Sequence, residues 1–210
     1  MKNLFILGAD SFARELFNWV KLNPQYNEKY YFKGFLDDRK NILDNYGEEY
    51  FLAGDPYTYN FDRDDYCLMG VVDPLYKEKL QIFLKNKVQI LTFIPSNAMI
   101  SHSAKIGEGC VICPWVSISN DTTIDDFCTI VIGSKIAHDC YIGKYSSIMT
   151  DVKIGGRTII EEKVYIGMNA TIINDLKIGS LVKIGAGSVV INKQKPGITV
   201  FGNPARQIKS

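Results

Sequence analysis

The chain contains two histidines, His102 and His138, 36 residues apart, and each stands two residues after an isoleucine. His138 is followed directly by Asp139, a carboxylate that can fix the ring tautomer or favour its protonated form, as a general base requires. His102 sits between serines and has no such neighbour. On spacing alone, either histidine can equally be a solvated surface residue. Of the five cysteines, Cys110 and Cys113 form one CxxC, but no second cysteine or histidine pair completes a zinc set, so core filling is expected and no metal. Cys140, two residues from His138, is a rival candidate for covalent chemistry at the same place.

A second group of residues lies near the start. Gly8-Ala9-Asp10-Ser11 follows a buried-type strand, Asn3 to Leu7, and precedes an amphipathic helix expected over Ala13 to Leu22. Further strands are expected at Tyr31 to Leu36, ending in Asp37-Asp38, at Tyr66 to Val72 through Gly70, and at Val88 to Leu91, with a helix over Pro74 to Lys85. This predicts a small Rossmann-like parallel α/β sheet, in which Gly8, Asp37, Asp38 and Gly70 collect at the carboxyl ends of the strands, where ligands bind. A helix N-terminus suits a phosphate, and an acidic residue suits ribose hydroxyls or a base N–H. A plain turn at Gly8 and a plain strand end at Asp37-Asp38 fit the same residues. The dinucleotide fingerprint GxGxxG is present only as Gly8 to Ala13, with Asp10 at the second glycine, where its carboxylate repels a pyrophosphate; a dehydrogenase is not expected.

What positions the histidines is a ruler. Isoleucine occupies every sixth position from Ile94 to Ile184, sixteen in succession, and Val190 extends the series. A period of six matches neither a helix nor simple strand alternation, and is the signature of a hexapeptide β-solenoid. Four residues after each isoleucine the side chain is small or β-branched, Leu176 excepted, as a narrow prism axis demands. Gly107, Gly143, Gly155, Gly167, Gly179 and Gly185 directly follow register isoleucines, where a corner turn is expected of them. Three hexads make a coil of 18 residues, so Ile94 to Val190 spans five to six coils, and the histidines fall on one outer edge, two coils and roughly 10 Å apart. No flexible linker precedes Ile94, which predicts two packed domains, 1–92 and 93–210.

A net charge of +1 gives no footprint for nucleic acid or an anionic membrane. No run approaches 18 apolar residues, and Leu4 to Leu7 is too short for a signal-peptide core, so a cytoplasmic protein is expected.

The segments Ile136 to Gly143 (IAHDCYIG), Phe5 to Glu15 (FILGADSFARE), Gly34 to Asp38 (GFLDD) and Val200 to Arg206 (VFGNPAR) together resemble the sialic acid O-acetyltransferase family of hexapeptide-repeat sugar acyltransferases. The likeness is greatest to its N-acetyltransferases for nucleotide-linked amino sugars, of the bacillosamine and viosamine type. The resemblance implies a left-handed parallel β-helix behind the Rossmann-like domain, and acetyl-coenzyme A as acyl donor. It implies a UDP- or dTDP-linked amino sugar as acceptor, in surface glycan or O-antigen synthesis. By the same resemblance, His138 is the general base and Asp139 its acidic neighbour. Asp10, Ser11 and Phe12 with Gly8 contact the nucleotide sugar, Asp37 and Asp38 the base and ribose, and Gly70 adds a backbone contact. Ser147, Gly156, Met168 and Ala186 line the acetyl-coenzyme A groove. The assembly implied is a homotrimer with each site built from two chains; three copies closing a ring also supply the partner wall that an edge groove needs. Ser147 stands where some N-acetyltransferases of the family carry a second histidine, Phe12 replaces a histidine or other polar residue, and Asp10 a small one.

Because the thioester is already activated, the expected chemistry is direct attack by an amine deprotonated by His138, with a backbone N–H of the neighbouring chain holding the oxyanion. O-acetylation of a sugar hydroxyl by the same base is the nearest alternative, and a non-catalytic trimeric scaffold the more distant one.

Overall fold

The computed structural model describes residues 2–208; Met1, Lys209 and Ser210, at the ends of the two expected domains, lie outside the described residues. The chain opens with strand β1 (Lys2–Leu7), helix α1 (Ser11–Lys21), a one-turn helix α2 (Pro24–Asn27), strands β2 (Tyr30–Leu36), β3 (Leu52–Gly54) and β4 (Asp65–Met69), helix α3 (Pro74–Leu84) and strand β5 (Gln89–Ile90). These strands form one parallel sheet in the order β3-β2-β1-β4-β5, with β1 at its centre. The chain therefore reverses its direction of winding between β1 and β4, the crevice where doubly wound sheets bind ligands. Phe12, Leu16, Phe17 and Val20 form the buried stripe of α1, at the helical spacing that the sequence presents. β3 and α2 were not expected: β3 is only three residues long, and α2 is a single turn started by Asn23, whose side chain accepts from Gln25 N–H.

From Met99 the chain forms a left-handed parallel β-helix of two-residue strands, each ending on a register isoleucine or on Val190. Residues 18 apart pair in register, for example Lys135 with Lys153 and Ile136 with Ile154. The strands make three flat faces. One runs through Val111–Ile112, Thr129–Ile130, Ser147–Ile148, Tyr165–Ile166 and Lys183–Ile184. The second contains Met99–Ile100, Ser117–Ile118, Lys135–Ile136, Lys153–Ile154 and Thr171–Ile172, and the third Lys105–Ile106, Thr123–Ile124, Tyr141–Ile142 and Ile159–Ile160. The second inward position is small because the axis is narrow, and its polar members are satisfied there: Thr122, Ser134, Ser146 and Thr158 each donate to the carbonyl fifteen residues on. The thiols of Cys110, Cys128 and Cys140 do the same, so these three are core residues, and all five cysteines are free and buried.

The corner geometry differs from expectation. The left-handed residue of each turn is not the glycine after the isoleucine but the third residue, from Gly109 and Trp115 through Asp139 to Gly187, with φ near +60° at every corner. The glycines that follow isoleucines have ordinary φ and are there for space: a Cβ on Gly107 or Gly143 would approach the next coil's backbone to 2.7 Å, and one on Gly167 to 2.6 Å.

The sheet domain docks on the first face. Lys77 of α3 is fully buried there, and its ammonium donates to Ser147 Oγ at 2.8 Å, Ser146 O at 3.0 Å and Thr129 Oγ1 at 3.2 Å. Three acceptors for three protons describe a charged amine, and burial lowers its pKa to about 8. Ser147 in turn donates to Val72 O at 2.6 Å, Tyr145 to Gln81 at 3.1 Å, and Lys163 pairs with Glu78 at 2.7 Å.

Candidate active site

His138 and Asp139 occupy the corner between the second and third faces. Asp139 takes the left-handed conformation (φ +56°), which an Asp tolerates better than most residues. This turn brings its Oδ2 to 2.6 Å from His138 Nδ1. Both side chains are about half exposed, so the pair is accessible from the surface. Gly156 lies one coil beyond, and a Cβ there would come within 2.8 Å of both Cε1 and Nε2 of the imidazole, so the missing side chain is the space in which the ring lies. Beside this pair Arg157 grips Asp175 through two bonds of 2.6 and 2.8 Å. Arg157 and Asp175 had no signal in the sequence beyond their 18-residue spacing. Cys140 sits just inside the corner, its thiol aimed at Gly155 O at 3.3 Å and pushed up in pKa by burial, which makes it a poor nucleophile. His102 lies exposed on the same edge.

In the sheet domain, Gly8 (φ +85°) and Gly70 close the β1 and β4 ends against each other: a Cβ on Gly70 would meet Ile6 at 2.6 Å and Ala13 at 2.8 Å. Asp37 is buried, and both its oxygens are occupied, by Ala9 N–H at 2.9 Å and by the backbone and guanidinium of Arg39. Burial alone would push this carboxyl up, but the Arg39 bonds hold it below the usual range. Asp37 therefore braces the loop and has no free oxygen for a base or ribose; Asp38, exposed beside it, is the open carboxylate. Arg39 also reaches Asp10, and was not anticipated although it follows the Asp-Asp pair directly. Ser11 is exposed at the first turn of α1. Phe12 is corrected: it is 8% exposed and packs edge-on against Trp19, because the 3.6-residue period turns it to the core side of α1.

Met168 and Ala186 stack one coil apart on the corner between the first and second faces. The second face separates that corner from the His138 corner and carries an open groove of about 470 Å³ lined by Lys135, Ala137, Lys153 and Thr171. Ser147 is corrected: it is on the docked face, wholly buried under α3, and lines no groove. The His138 corner is the edge opposite the face on which the chain's own sheet domain is docked, so the two constellations lie on opposite sides of one chain.

The chain is 33% identical to the GDP-perosamine N-acetyltransferase of Escherichia coli O157:H7 over 99% of its own length and 97% of that protein. A family model for the bacterial transferase hexapeptide (six repeats) matches residues 157–192. The chain belongs to the bacterial hexapeptide transferases. Two structural likenesses extend over the whole transferase. The acetyltransferase domain of PglB from Neisseria gonorrhoeae FA1090 superposes with a TM-score of 0.87 at 22% identity, covering 99% of this chain and 100% of that one. PerB from Caulobacter crescentus, in complex with CoA and GDP-perosamine, gives a TM-score of 0.80 at 20% identity, covering 100% and 98%. The transferase is an acetyltransferase of the left-handed β-helix type, with a Rossmann-like sheet ahead of the helix. Among its described residues no helix is long and apolar enough to cross a membrane, and no group of three or more His, Cys, Asp or Glu is placed to hold a metal ion.

Proposed function

We propose that this enzyme transfers the acetyl group of acetyl-coenzyme A to the amine of a GDP-linked amino sugar, perosamine or a close analogue, in cytoplasmic synthesis of a surface glycan such as an O-antigen. The observation that carries the reading is the 2.6 Å contact between His138 Nδ1 and Asp139 Oδ2. Asp139 Oδ2 accepts a hydrogen bond from Nδ1–H, and in that tautomer the basic lone pair is on Nε2. The amine nitrogen attacks the thioester carbon while Nε2 takes an N–H proton. The tetrahedral intermediate then expels coenzyme A thiolate, which recovers that proton as the free thiol. GDP replaces the UDP or dTDP of the sequence expectation because the 33%-identical relative is named for a GDP sugar.

Two chains are needed for one site in this reading. Since His138 lies opposite the docked sheet domain, the amine reaches it from the nucleotide-binding crevice of a neighbouring copy, and a homotrimer closes that arrangement. The neighbour's corner with Met168 and Ala186 then walls the coenzyme A groove across from Gly156. The test is thiol release from acetyl-coenzyme A over a panel of GDP-, UDP- and dTDP-linked amino sugars and free sialic acid. Fastest release with a GDP-linked amine, and an amide product by mass, are expected; release with hydroxyl acceptors alone, or none, would overturn the reading.

A further inference from the structure

In the nucleotide-sugar reading a diphosphate approaches the N-terminus of α1, and the charge of Asp10, its N-cap, opposes that ligand. Arg39 resolves the conflict. One side of its guanidinium is anchored on buried Asp37, with Nε to Oδ1 and Nη2 to Oδ2 both at 2.8 Å. The other side reaches Asp10, with Nη2 to Oδ2 at 2.9 Å and Nη1 to Oδ1 at 3.3 Å. The two legs are unequal. The Asp37 side chain is 4% exposed and receives two further backbone N–H bonds, whereas Asp10 is 65% exposed and spends nothing on capping its own helix. An exposed ion pair of this kind contributes little and exchanges readily, while a guanidinium binds phosphate with two charge-assisted bonds.

We propose that Arg39 is an exchange clamp: it keeps its grip on Asp37 and trades Asp10 for the diphosphate of the sugar nucleotide. Asp10 is then an internal competitor that holds Arg39 in place when the crevice is empty and sets how strongly a diphosphate must bind to displace it. The inference rests on the nucleotide-sugar reading and names the residue that recognises the part of the substrate common to all nucleoside diphosphates. A passive alternative, in which Arg39 only neutralises Asp10, predicts different double-variant behaviour.

The experiment is calorimetric titration of the full-length protein with GDP, UDP and dTDP, taking whichever binds wild type most tightly, and with the corresponding monophosphate. The proteins compared are wild type, Asp10→Asn, Arg39→Gln and the double variant, with thermal melts to confirm folding. Asp37 keeps its Ala9 and Arg39 backbone donors in all of them. Asp10→Asn should tighten diphosphate binding about three- to tenfold. Arg39→Gln should weaken it roughly ten- to hundredfold, and affect the monophosphate less. The double variant should stay weaker than wild type. Recovery of wild-type affinity in the double variant would overturn the clamp in favour of passive neutralisation, and an unchanged Arg39→Gln would overturn any role of Arg39. Absence of binding of all three diphosphates to wild type would overturn the nucleotide reading itself, and the clamp with it.

Discussion

Gly156 lies under the His138 ring one coil away, close enough that a Cβ would come within 2.8 Å of both Cε1 and Nε2. Gly156 has an ordinary φ, so alanine there is not strained in its backbone; what it lacks is room. Gly156→Ala should therefore leave the melting temperature nearly unchanged while tilting the imidazole off its line to the amine. A displacement of this size costs on the order of a hundredfold in kcat. Steady-state kinetics alongside a melt check it, and equal losses of stability and activity would make Gly156 a packing residue only.

Cys140 is the residue whose thiol could carry an acyl group, and its surroundings argue against that. It is 2% exposed, donates to Gly155 O, and has its pKa pushed up by burial. Cys140→Ser should keep kcat within a few-fold of wild type and form no acetylated protein, as intact mass after a single turnover would reveal.

Lys77 couples the domains at a cost that depends on pH. Its folded pKa, about 8, lies below the unfolded value, so the charged form is the penalised one and the penalty is fully present below pH 8. Between pH 8 and about 10.4 the unfolded chain binds a proton that the folded one does not, so stability rises with pH, by up to about 3 kcal/mol from this group. Urea unfolding at pH 7 and pH 9.5 should show wild type gaining on Lys77→Met by about 1–3 kcal/mol over that interval. Tyrosine titration is common to both proteins and cancels; parallel curves would mean Lys77 is not buried as described.

The opposition of the His138 corner and the docked face predicts complementation between chains. His138→Asn chains retain the nucleotide crevice, and Arg39→Gln chains retain the base but bind too little nucleotide sugar to turn over when it is supplied well below their weakened affinity. Co-refolded one to one, they should recover activity at about a quarter of the sites, since random assembly pairs an intact corner with an intact crevice that often. Separate variants mixed without subunit exchange should stay as inactive as each alone.

The isoleucine ruler made the solenoid legible, because one inward residue per face is a constraint no other fold repeats at six. It also placed Cys110, Cys128 and Cys140 inside and His138 at an edge. The ruler assigns a residue to a face or corner but not what covers that face, and so could not show that Ser147, which the resemblance places in the groove, lies under Lys77. A signal for the docking was present: Lys77 falls between Pro74 and Leu80 and Leu84 on the buried stripe of α3, where a lysine is out of place unless something receives it. The resemblance places Phe12 in the nucleotide-sugar loop, but helical phase turns it onto the buried stripe of α1. Arg39 carries no signal in the sequence, because its role depends on reaching Asp10 across two strand ends, a contact spanning 29 residues that no local pattern encodes.

The central claim is that His138 removes the proton from the acceptor amine. The most direct measurement is kcat of His138→Asn with acetyl-coenzyme A and the preferred nucleotide amino sugar, following thiol release near pH 7. Loss of roughly 10²- to 10⁴-fold in kcat, with KM for both substrates little changed, is the expected result. Wild-type turnover in the folded His138→Asn protein would contradict it.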